Sequence, residues 1–108
     1  MEDRPAYRPA TATRTDWRDA SRASDREVAA GAAGERLVPW TPVWVRRGGT
    51  WQGGILDAWR PAPPGRWLAH VRWGPQPGDA GWLEYKGAGL KAATHPDADA
   101  RPPRQAPR

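Results

Sequence analysis

Cysteine, phenylalanine and asparagine are all missing from this chain, and isoleucine occurs once, at Ile55. Without cysteine there is no disulfide framework and no thiolate ligand for a metal. No run of about 18 apolar residues is present, which excludes a membrane-spanning helix and gives no reason to expect a membrane partner. The start, Met1-Glu2-Asp3-Arg4-Pro5, has no apolar stretch behind a basic end. A secretory leader is therefore not expected, and a cytoplasmic protein is.

Lysine is scarce as well, at Lys86 and Lys91 only, whereas Arg, Ala, Pro, Gly and Trp are plentiful. These preferences follow the codons of a GC-rich genome, so a net charge of +5 is a weaker pointer to a polyanionic partner than its size suggests. The eight tryptophans are not explained that way, because a large indole must be buried or used.

A chain of 108 residues has room for one domain. Residues 1–36 read as a disordered Ala/Arg-rich arm, with seven arginines against seven acids and few large apolar groups to offset the entropy of ordering. Within the arm, Ser24 and Glu27 have the spacing of a capping box, which predicts a short helix through Val28-Ala29-Ala30, weakened by Gly31 and Gly34. Residues 37–95 carry seven of the eight tryptophans, and their irregular spacing fits short strands punctuated by Gly and Pro better than a helical stripe. Residues 96–108 read as a disordered Pro/Arg-rich tail, which favours extended polyproline II.

Strand by strand, Val43 to Arg47 alternates with period two, placing Val43 and Val45 on one face and Trp44 and Arg46 on the other. Gly48-Gly49 predicts a tight hairpin. A long second strand runs from Thr50 to Arg60, and Gly53-Gly54 in its middle suggests a bulge or bend. After a proline-rich loop, the strand Arg66 to Trp73 places Trp67, Ala69, Val71 and Trp73 inward and Leu68, His70 and Arg72 outward. A second loop leads to a strand at Trp82 to Tyr85, a turn over 86–89, and a short closing strand at Leu90 to Ala92. Trp67, Trp73 and Trp82 are expected in the core.

Five short strands with a long second one and a brief fifth resemble the SH3-like barrels, nearest to the Tudor, chromo-barrel and integrase C-terminal types. The likeness is carried by Val43-Trp44-Val45, Gly49 to Ile55, His70 to Trp73 and Trp82-Leu83, and it spans about half of the chain. It implies an all-β fold, a single five-stranded SH3-like barrel between disordered arms. It implies no particular function, since many unrelated activities share the architecture.

Catalysis finds little support. The expected barrel has no Ser or Cys, and its acids are Asp57, Asp79 and Glu84. Asp57, Glu84 and His70 are conceivable acid–base partners, but nothing in their spacing supports a site. His70 and His95 lack the paired ligand spacing of structural zinc. Hence no enzyme, no metal site and no cofactor is expected. The positive signal is an outward Trp44 beside Arg46, with Arg47, Trp51, Arg60, His70 and Arg72 as companions. Such a surface suits DNA or RNA, with bases stacked on the indole and phosphates on the guanidiniums. It equally suits a protein or peptide segment packed in an aromatic groove.

Overall fold

The computed structural model describes residues 16–85, 89–93 and 100–103. The first fifteen residues, His95, the turn residues 86–88 and the tail from Arg104 onward lie outside the described residues. Five strands run antiparallel in one sheet: β1 (Arg36–Arg47), β2 (Thr50–Ala62), β3 (Arg66–Arg72), β4 (Ala80–Glu84) and β5 (Leu90–Ala92). Their order is β4-β3-β2-β1-β5, a four-stranded meander with the last strand laid beside the first. The β1–β2 hairpin turns on Gly48 and Gly49, at φ 59° and 78°, where a Cβ would strain the backbone.

Inward residues from every strand form one cluster that includes Val43, Val45, Leu56, Trp59, Val71, Leu83 and Leu90. Leu83 belongs to one edge of the sheet and Leu90 to the other, so the sheet curls until both edges border the same core. At its centre Trp59 meets Trp67 and Tyr85 edge-on, with ring centroids 6.4 and 5.4 Å apart. Among the described residues no helix is long and apolar enough to cross a membrane.

The expected closed barrel is not formed. Among the described residues no ladder joins β4 to β5, and the sheet stays open between them. The reason lies in the segment that composition had assigned to the disordered arm. Residues 16–24 run through the gap: Ala20 N–H donates to Arg46 O on β1, Ala23 N–H to Trp82 O, and Glu84 N–H to Ser21 O. Arg22 faces Leu83 as an isolated antiparallel bridge. The arm therefore takes the backbone groups that barrel closure would have used. At the other end, Ala100 is buried and its N–H donates to Leu90 O.

The capping box is present. Ser24 Oγ accepts from Glu27 N–H at 3.2 Å and starts a helix, α1 (Asp25–Ala30). Gly31 follows it in close approach to β2, since a Cβ there would sit 2.6 Å from Pro61 O. A 3₁₀ turn (Ala32–Gly34) then leads into β1. By packing on β2, α1 gives the sheet's second face a partial cover. That explains a difference from the sequence pattern: Leu68, expected in water, is fully buried opposite Arg60. Trp82, expected in the core, lies on this second face opposite His70. Gly53 and Gly54 keep regular register, opposite Trp44 and Val43. The irregularities fall instead between Leu56 and Ala58 on β2 and between Leu37 and Thr41 on β1.

Arg66 Nη2 donates to Glu27 Oε2, and this hydrogen bond holds the Glu27 carboxyl below its usual range, against a smaller opposing push from burial. A carboxyl lowered on folding contributes stability that is fully present above its unfolded value, 4.5 here, and is lost as pH falls through the folded value. Acid unfolding curves should therefore fall more steeply below about pH 4.5 in the native chain than in Glu27→Gln. Superimposable curves would count against the pairing.

Candidate binding surface

The outward face is set by the alternation along β1. Because Val43 and Val45 enter the core, Trp44 and Arg46 emerge on the other side. Trp44 is 40% exposed, between Gly53 on β2 and Lys91 on β5. Beside it the arm is fastened down. Arg46 Nη1 donates to Trp17 O at 2.6 Å, and its Nε lies 3.7 Å from Asp19. Trp51 meets Trp17 edge-on at 5.0 Å. Lys91, only 5% exposed, places its ammonium 4.3 Å from the Trp51 ring and 5.6 Å from the Trp17 ring.

Farther along this face, Arg60 donates through Nε to Glu35 (2.8 Å) and through Nη1 to Val28 O (2.7 Å), while stacking on Trp82 at 4.5 Å. His70 Nδ1 is 2.7 Å from Asp57 Oδ1, and its ring lies 5.0 Å from that of Trp82. Arg72 is exposed, and its guanidinium meets no partner among the described residues. Arg47 does not join the others: with the parity of Val45 it turns to the opposite face and stacks on Trp73 at 4.3 Å. Of the seven residues singled out in the sequence, six share the outward face. Two of their three guanidiniums, on Arg46 and Arg60, are already bound within the protein.

A cleft of about 440 Å³ opens on this face, lined by Leu37, Trp40, Asp57, Arg60, His70 and Trp82 among others. Arg60 is paired with Glu35, and the His70 ring is hydrogen-bonded to Asp57. The cleft's open lining is divided about evenly between polar and apolar surface, the apolar part coming from the indoles and aliphatic side chains. The rim is unusual: Leu37 is 78% exposed and Trp40 80%. Sequence reasoning assigned neither a role. The signal was Pro39 between them, which has no N–H for the ladder. The β1–β2 register breaks there, and Thr41 Oγ1 donates back to Pro39 O at 2.6 Å. Asp57 and His70 do come together, but Glu84 stands opposite Leu68 and no Ser or Thr lines the cleft. Among the described residues no cluster of three metal-ligating side chains occurs.

Compared with known proteins, the chain matches no family model, no curated protein and no solved structure. The fold class, an all-β domain of one antiparallel sheet, rests on the strands themselves.

Proposed function

We propose that this protein is a non-catalytic binding module whose outward sheet face docks a segment of a partner protein along β1. The observation that supports this reading is that Leu37, Trp40 and Trp44, the large apolar side chains left in water among the described residues, all belong to that one strand. Exposed aromatic and aliphatic groups concentrated beside a cleft favour a protein partner over scattered surface apolarity. Pro39 and Pro42 deny N–H donors to any strand added alongside, so the partner is held by side chains rather than by a continued ladder. The strand order, with the last strand beside the first and the arm in the place of closure, supports grouping the chain with SH3-like architectures.

A second reading, nucleic acid on the same face, draws on the net charge of +5 and on Arg72, which shares that face from β3. It is weakened by the engagement of Arg46 and Arg60 and by the departure of Arg47. One comparison separates the two: the full chain and its Leu37→Ser/Trp40→Ser variant, each used to capture partners from nuclease-treated host extract. A specific protein retained by the native chain and lost by the variant supports protein docking. Exposed positions change stability by only about 0.5 kcal/mol, so the variant should melt where the native chain does. Capture that vanishes with nuclease, or survives the substitutions, refutes it.

A further inference from the structure

One end of the inner face carries a second arrangement, independent of β1's exposed residues. Arg47, the last residue of β1, holds its guanidinium carbon 4.3 Å from the Trp73 ring centroid. From the arm, Arg22 brings a second guanidinium over the same ring at 5.5 Å. Arg46, Arg60 and Arg66 are paired with Asp19, Glu35 and Glu27, whereas Arg22 and Arg47 have no carboxylate partner among the described residues. The acid of the adjoining loop, Asp79, folds back over that loop beside Gly74 and accepts Gln76 N–H at 3.1 Å.

Arg22 is held in place from several sides, and Arg47 by its stacking on Trp73. The backbone hydrogen bonds at Ser21 and Ala23 fix Arg22 to β4, and its Nη2 donates to Gly78 O at 3.2 Å. Its Nη1 occupies room that only glycine leaves, because a Cβ on Gly81 would come within 2.5 Å of it. A guanidinium lying over an indole keeps its N–H edge in its own plane, free for forked hydrogen bonds to oxyanions. Two like charges gathered on one ring also repel, and a bridging anion relieves that repulsion.

We infer that Arg22, Trp73 and Arg47 form a clamp for a phosphate chain. Phosphate supplies several negative oxygens to each guanidinium, and successive phosphates let one chain engage both. The cations cover the Trp73 ring, so it is not a platform for bases, and recognition runs through phosphate alone. The chain can be a nucleic-acid backbone or inorganic polyphosphate. This goes beyond docking on β1 and does not depend on it.

The test titrates the full chain at low ionic strength with tripolyphosphate, with an eight-residue oligothymidylate and with polyglutamate, following tryptophan emission and calorimetry. Either phosphate probe is expected to bind. Each of Arg22→Gln and Arg47→Gln should lower affinity on the order of tenfold, the loss of one charge-assisted contact. The double variant should cut the salt slope for the oligonucleotide by about 1.4. Arg26→Gln on α1 removes the same charge elsewhere and should leave affinity within about twofold. Gly81→Ala keeps every charge but displaces Arg22 and should weaken binding as well. Tighter binding of oligothymidylate assigns a nucleic-acid backbone, and tighter binding of tripolyphosphate assigns the free polyanion. No binding of either probe, equal loss in Arg26→Gln, or equal binding of polyglutamate overturns the clamp.

Discussion

Trp59→Ala is expected to lower the melting temperature by more than about 15 °C. Trp59 is the largest fully buried side chain among the described residues, and it is edge-on to both Trp67 and Tyr85. It sits on β2, which pairs with β1 on one side and β3 on the other. Truncating a buried tryptophan costs about 3–5 kcal/mol, the transfer term plus the cavity left behind. A domain of this size has only about 5–15 kcal/mol in hand. Far-ultraviolet circular dichroism and tryptophan emission, followed on heating, read the effect. A shift of only a few degrees would mean that the core does not hinge on this ring.

Deleting residues 1–23 separates two views of the arm. A disordered arm can be removed without consequence. In the structure the deletion removes the hydrogen bonds to Arg46 O and Trp82 O and the acceptor for Glu84 N–H. It also takes away Trp17, which faces Trp51 and Lys91 and accepts from Arg46. At about 1 kcal/mol for each hydrogen bond, the melting temperature should fall by about 10 °C or more. The uncovered β4 edge should also make the truncated chain self-associate with rising concentration, as scattering or sedimentation would detect. An unchanged melt in a monomeric product would mean that residues 16–23 do not close the gap.

Much of the candidate surface was legible because strand alternation is local. Once Val43 and Val45 point inward, Trp44 and Arg46 must point outward, and both do. Arg47 is a different case. Its parity was equally readable, yet its proximity to Arg46 in sequence suggested a shared role that the pleat forbids. Leu37 and Trp40 were missed because their exposure follows from a register break at Pro39, which depends on what β2 offers across the ladder. Leu68 was misplaced because α1 partly covers that face of the sheet, and cover by a distant segment leaves no mark on a strand's own pattern. Trp82 was misplaced because its face is set by the β3–β4 register, which puts it opposite His70.

The local sequence determined the strands, the Gly48-Gly49 hairpin and the Ser24 cap, since periodicity, positive φ and capping act over a few residues. Tertiary structure alone decided that the sheet stays open, that residues 16–24 lie in the gap, and that Arg22 meets Arg47 on Trp73. Those outcomes turn on which distant backbone and side-chain groups find partners. Neither composition nor alternation carries that information.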